Sequence, residues 1–219
     1  MTSDIELARF NMVEQQIRPW DVLDKRVLEV FFKVPRERFV PEDQQAYAFS
    51  DMAIPLAHHQ HMLRPVVEGR ILEHLQIQPN EHILEIGTGS GFFTACLATL
   101  GKSVRSVDIH KTFTKQAAGI LDELGFDQVA LETGDAHAGW ALQEQFDVIV
   151  FTGALAQIPE VCKSQLTEGG RLLAITGKGP IMTAEMITRK RADHFETQSL
   201  FETCTDYLKG AEPAPEFTL

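Results

Sequence analysis

Three acidic residues and three alternating glycines stand in a pattern that could do chemistry. The stretch Glu85-Ile86-Gly87-Thr88-Gly89-Ser90-Gly91 follows a short apolar run and opens another. Glycines so placed let the backbone turn sharply and bring bare N–H groups against a ligand. The spacing is G-x-G-x-G, not the G-x-G-x-x-G that suits a pyrophosphate. Asp108 lies 19 residues after Gly89, where a carboxylate can meet ribose hydroxyls. Gly134-Asp135 adds an acid able to accept from an adenine amino group, and Glu85 sits just before the first glycine. A single acid at a strand end is usually a cap or a solvated side chain. Three at the carboxyl ends of neighbouring strands point to a ligand. A nucleoside pocket lined by acids and lacking a phosphate cradle suits a cationic compound, S-adenosyl-L-methionine, better than NAD or ATP.

A second group lies upstream. AIPLAHHQHMLRP, residues 53–65, puts His58, His59 and His61 within four positions. Adjacent histidines in an extended segment point opposite ways, so the three do not converge readily, and the stretch is not read as a metal site. Surface imidazoles on a loop and contact with cofactor or acceptor are the two remaining readings.

The elements that must position these groups follow from periodicity. Residues up to about 45 read as helix, with an apolar face at Val27, Leu28, Val30, Phe31 and Phe32 ended by Pro35. Pro41, Pro55 and Pro65 punctuate a loop over 41–65, and a helix follows over 66–75. Strands are expected at 82–86, 104–109, 129–132, 146–152 and 171–176, with helices at 92–100, 111–124 and 161–166. Alternation of this kind means βαβ units and a parallel sheet covered on both faces. The segments 186–190 and 195–203 are too close in sequence for a parallel crossover, so the sheet should finish in an antiparallel hairpin. The expected fold is α/β: a Rossmann-like, doubly wound, mostly parallel sheet with a terminal hairpin and an N-terminal helical extension. One compact domain is expected, with residues 1–75 packed on a cofactor-binding core at 76–210 and a flexible tail at 211–219.

Bulk properties narrow the partners. Against 31 Asp and Glu stand 20 Lys and Arg, a net charge of −11, which repels nucleic acid and anionic membranes but not a cationic ligand. Cys96, Cys162 and Cys204 are far apart in sequence and read as buried, reduced thiols. The N-terminus has early acids and no apolar core segment, and no run approaches the ~20 apolar residues of a membrane helix. A cytoplasmic protein is expected. Trp20 and Trp140 are expected as packing residues near the cleft mouth.

Several separated blocks resemble the class I S-adenosylmethionine methyltransferases and, more narrowly, the protein-L-isoaspartate O-methyltransferase family. Val34-Pro35-Arg36-Glu37 with Phe39-Val40 is similar to its VPRE-x-FV entry, and Ala53-Ile54-Pro55 with Gln60, Pro65 and Arg70 to its substrate loop and following helix. Ile83 to Ser90 resembles LEIGTGSG, and Gly134-Asp135 with Gly139-Trp140 resembles GD-x-x-x-GW. Phe146-Asp147, Thr152, Ile158-Pro159, Gln165-Leu166 and Glu168-Gly169-Gly170 follow in order; after residue 177 the match is looser.

The resemblance implies methyl transfer from S-adenosyl-L-methionine, leaving S-adenosyl-L-homocysteine, to the α-carboxylate of isoaspartyl residues in damaged proteins. An ionised carboxylate is already a nucleophile, so no general base is required, and rate comes from alignment and water exclusion. Cofactor contacts are expected from Glu85, Gly87, Thr88, Gly89 and Ser90, from Asp108 and Ile109, and from Asp135, Ala136 and Thr152. His59, Gln60, His61, Met62 and Leu63 are expected on the acceptor side. There the chain departs from the family loop, with His61 in place of a Thr and Leu63 in place of a Ser, so a hydroxyl is lost. No catalytic residue follows from the pattern, although His61 is the candidate donor. An altered isoaspartyl site, another carboxylate acceptor, and cofactor binding without transfer all stay open.

Overall fold

Apolar strand residues buried on both faces of one sheet form the centre of the molecule. The computed structural model describes residues 2–140 and 143–214. From the N-terminus come α1 (Thr2–Asn11), a wider turn at Met12–Ile17, and α2 (Lys25–Lys33). A two-residue hairpin, β1 (Ile54–Pro55) and β2 (His61–Met62), precedes α3 (Pro65–Leu75). The core continues as β3 (His82–Ile86), α4 (Phe92–Leu100), β4 (Ser103–Asp108), α5 (Lys111–Glu123), β5 (Val129–Thr133) and β6 (Phe146–Leu155). It ends with α6 (Glu160–Ser164), β7 (Leu166–Lys178), β8 (Ile181–Arg191) and β9 (His194–Thr203). No helix among the described residues is long and apolar enough to cross a membrane.

The seven-stranded sheet has the order β5-β4-β3-β6-β7-β8-β9. Strands β3 to β7 run parallel to one another. Side chains alternate between two cores. Val148 and Val150 enter one with Ile83, Phe92 and Leu97, while Ile149 and Phe151 enter the other with Leu84 and Leu172. That double burial explains the unbroken apolar run of β6. The expected antiparallel end is present but longer than a hairpin. β8 starts at Ile181 and pairs with β7 as well as β9, so three strands form a meander. Gly179-Pro180 forms the β7–β8 turn.

The N-terminal helices are fastened to the core by a buried charge. Arg36 is fully buried; its guanidinium pairs with Glu68 on α3, donates to the Leu63 carbonyl at 2.9 Å, and lies 4.5 Å from the Phe92 ring centroid. One side chain thus joins the segment after α2, the loop before α3, and α4. Burial holds the Glu68 carboxyl above the usual carboxylate range while the guanidinium pulls the other way.

The end of the chain returns to the sheet. Ala154 N–H donates to Asp206 O at 2.7 Å, Leu208 N–H to Ala154 O at 3.0 Å, and Ala156 N–H to Ala211 O at 2.8 Å. Ala211, assigned to a flexible tail by its sequence, is therefore held at the rim; residues 215–219 of that tail lie outside the described residues. Two further expectations are corrected. Trp20 is exposed beside Arg70, because the turn at Asp21 carries it outward, and Cys204 is exposed just past β9.

Removing one partner of the Arg36–Glu68 pair strands a buried charge. Arg36→Ala is expected to cost about 3–5 kcal/mol of unfolding free energy. Arg36→Met combined with Glu68→Leu should cost much less. Urea titrations of the three proteins check the order.

Candidate functional site

The turn between β3 and α4 is built from residues that only glycine can replace without strain. Gly87, Gly89 and Gly91 have φ of 105°, 51° and 87°. A Cβ on Gly87 would collide with the Thr152 hydroxyl, and one on Gly91 would come within 2.7 Å of the Ala117 Cβ. The turn is fixed from below by Asp108 at the end of β4. One carboxylate oxygen accepts from Gly89 N–H at 2.9 Å and the other from His110 N–H at 2.8 Å. Burial raises the Asp108 carboxyl from its ordinary value, and these two donors oppose the rise.

Two cavities flank this turn. The larger, of about 670 Å³, is bounded by Gly87, Gly89, Asp108 and Ile109, and across from them by Asp135, Ala136 and Thr152. Seven residues expected at a cofactor site are thus brought to one cleft. Asp135 is held below the usual carboxylate range, chiefly by its hydrogen bond with the His137 ring at 2.6 Å. The smaller cavity, of about 320 Å³, lies on the other side of the turn and is walled by Met62, Leu63, Glu68, Thr88, Ser90 and Phe93. Leu56, His61, Gly87, Gly89 and Thr152 border both.

A two-chambered cleft at the carboxyl ends of β3 and β4, where neighbouring strands lie on either side of the first, is the place an open α/β sheet offers a ligand. The family model described as Protein-L-isoaspartate(D-aspartate) O-methyltransferase (PCMT) matches residues 8–206. The chain belongs to that family. A protein-L-isoaspartate O-methyltransferase of Petrotoga mobilis is 36% identical over 187 residues, covering 85% of this chain and 88% of the relative. One of Trichlorobacter lovleyi is 37% identical over 195 residues, 89% of each chain. The structure of a Plasmodium falciparum protein assigned to the same enzyme class, in complex with S-adenosyl-L-homocysteine, superimposes with a TM-score of 0.79 at 17% identity. It covers 90% of this chain and 96% of that one, and shows the shared fold.

Within this member of the protein-L-isoaspartate O-methyltransferase family, five expected residues fall elsewhere. Of the two cavities, Ser90 borders only the smaller and Gln60 only the larger. Glu85 does not reach the cleft. It is fully buried beneath the turn, one carboxylate oxygen accepting from Thr94 and the other without a hydrogen-bond partner. β3 alternates its side chains, and residue 85 points to the α4 side. Thr88 is turned into the protein, its hydroxyl 2.6 Å from that of Ser106, though it still borders the smaller cavity. His59 borders neither cavity and stands exposed on the outer rim. It and His58 have φ of 57° and 59°, the left-handed centre of the tight β1–β2 turn. His58 stacks on His110 with ring centroids 3.9 Å apart, whereas His61 bonds Asp206. The three histidines therefore diverge.

The sequence pattern overlooked His110 and Phe113, which line the larger cavity, and the terminal stretch Thr205, Asp206, Leu208 and Lys209. His110 and Phe113 had a signal, since they open the helix that follows the Asp108 strand. The terminal stretch had none, because its place depends on pairing with Ala154 across 52 residues.

Burial pushes the Glu85 carboxyl up to about 8, against a hydrogen bond from Thr94. The folded chain then holds a proton that the unfolded chain has released above its ordinary value of 4.5. Stability from this group is full below that value and falls as pH rises towards about 8. In protein without ligand, Glu85→Gln is expected to lessen the drop in urea midpoint between pH 5 and pH 8; an unchanged drop would refute the assignment.

Proposed function

We propose that this chain is an S-adenosyl-L-methionine-dependent carboxyl methyltransferase acting on isoaspartyl residues of damaged proteins. The observation that carries the reading is the pair of joined cavities around one glycine turn, in a member of this family. The larger cavity fits the cofactor chemically. Its floor is bare backbone at Gly87 and Gly89, its walls carry the carboxylates of Asp108 and Asp135, and Ile109 and Phe113 supply apolar surface. When bound there, S-adenosyl-L-methionine supplies a methyl group on a positively charged sulfur.

The remaining chemistry belongs to the chain's own residues. Asp108 still has lone pairs after accepting from Gly89 and His110, enough to meet ribose hydroxyls. Asp135 is ionised and able to accept from an amino group. Thr152 donates to the Gly87 carbonyl and so fixes the wall between the cavities. The acceptor enters the smaller cavity, where Met62, Leu63 and Phe93 exclude water from a carboxylate. An ionised carboxylate held there would carry its own nucleophilic lone pair, so no residue need remove a proton. A reducing, cytoplasmic setting suits three unpaired cysteines, one of them exposed.

A different carboxylate acceptor is the second reading, favoured by Leu63. Its side chain is buried and offers no hydroxyl. A methyl-release assay with an isoaspartyl peptide and its normal aspartyl twin decides. Transfer to the isoaspartyl peptide alone is expected; transfer to neither, with product binding intact, moves the chain to the second reading. Asp108→Ala should weaken S-adenosyl-L-homocysteine binding about ten- to a hundredfold in calorimetry, the loss of a charged hydrogen-bonding partner.

A further inference from the structure

We infer that His61, held by Asp206, is the group that anchors the acceptor's carboxylate and so sets the acceptor class of this enzyme. The inference rests on the methyltransferase reading above and assigns a residue that reading leaves open. An anion entering the smaller cavity needs a partner, and the polar walls are nearly all committed. Glu68 is an acid already paired with Arg36. Thr88 shares its hydroxyl with Ser106, and Thr152 spends its proton on backbone carbonyls. Ser90 accepts from Phe92 N–H at 3.3 Å and retains only a neutral donor. Among the described residues that line this cavity, His61 alone can carry positive charge.

Its position suits the task. His61 borders both cavities, beside the wall across which methyl must pass. Asp206 takes Nδ1 at 2.6 Å, which fixes the ring and leaves Nε2 for a ligand. A ring with a carboxylate on each nitrogen has both nitrogens as donors, the arrangement an imidazolium serves. Asp206 is itself set by the sheet, since its carbonyl accepts from Ala154 N–H at 2.7 Å. Lys209 lies in the larger cavity only and does not line the acceptor side. Asp206 is thus a positioning residue, and His61 touches the acceptor.

Two readouts test this. The first is the binding of an isoaspartyl peptide to protein saturated with S-adenosyl-L-homocysteine, followed by fluorescence anisotropy. The second is steady-state methyl transfer to the same peptide. His61→Gln keeps a neutral donor of similar reach and should weaken peptide binding and raise KM about tenfold, with kcat changed less than threefold. S-adenosyl-L-homocysteine affinity should stay within twofold. Asp206→Asn should show a smaller loss in the same direction, and His61→Arg should recover part of the binding that Gln loses. Turnover in the wild type with KM untouched by His61→Gln overturns the inference and leaves the proposed function standing. Peptide binding that depends on His61 without turnover supports the anchor and removes the proposed function. If the wild type neither binds nor methylates the peptide, both fall. Loss of peptide and product affinity together in His61→Gln would assign the residue a structural role instead.

Discussion

The contact between Asp108 and the Gly89 amide holds the rest of the site in register. A turn of three left-handed glycines has many alternatives in an unfolded chain, and glycine loses more freedom on ordering than any other residue. The carboxylate at the end of β4 selects one conformation by accepting from Gly89 and, two residues on from itself, from His110. Those two bonds tie the β3–α4 turn to the β4–α5 turn, so one side chain places both turns along the larger cavity. Because that carboxylate is largely buried, leaving its partners unmade would be costly. The site is therefore largely formed by the fold itself.

The same economy governs the smaller cavity. Arg36 reaches from the segment after α2 to Glu68 and to the carbonyl of Leu63. The loop from β1 to α3 could otherwise drift, since its hairpin is only two residues deep on each strand. It is clamped at its far end by that guanidinium and at its tip by the stacking of His58 on His110. The walls of the smaller cavity come from residues 56–68, residues 87–93 and Thr152, and the buried Arg36–Glu68 pair anchors the first of these. The segment after the N-terminal helices thereby frames the loop that walls the smaller cavity.

Much of this architecture was legible in the residues. The helix of Phe92–Leu100 and the strand of His82–Ile86 fall where periodicity puts them, because their burial on both faces leaves an unmistakable apolar run. Gly87, Gly89, Asp108, Ile109, Asp135, Ala136 and Thr152 could be gathered into one cleft because all but Thr152, which lies within β6, sit at or just beyond the end of a strand in the sheet. Reading failed where direction or distance mattered. Glu85 precedes the turn by only two positions, yet the pleat sends it to the opposite side. Leu63 could be recognised as a lost hydroxyl, but not as a buried residue whose backbone serves Arg36. β8 was shortened because Thr183 and Glu185 interrupt its hydrophobicity, although pairing on both edges needs no apolar side chain. Asp206 carries no local mark at all.

The return of residues 206–211 to the edge of β6 has a consequence for the order in which the molecule becomes competent. The ribosome makes the floor around Gly87 well before the wall bearing Asp206 and Leu208. A nascent chain can thus complete five parallel strands while its pocket still lacks one side. A complete pocket then waits until residues 206–208 have been made and have closed against Ala154.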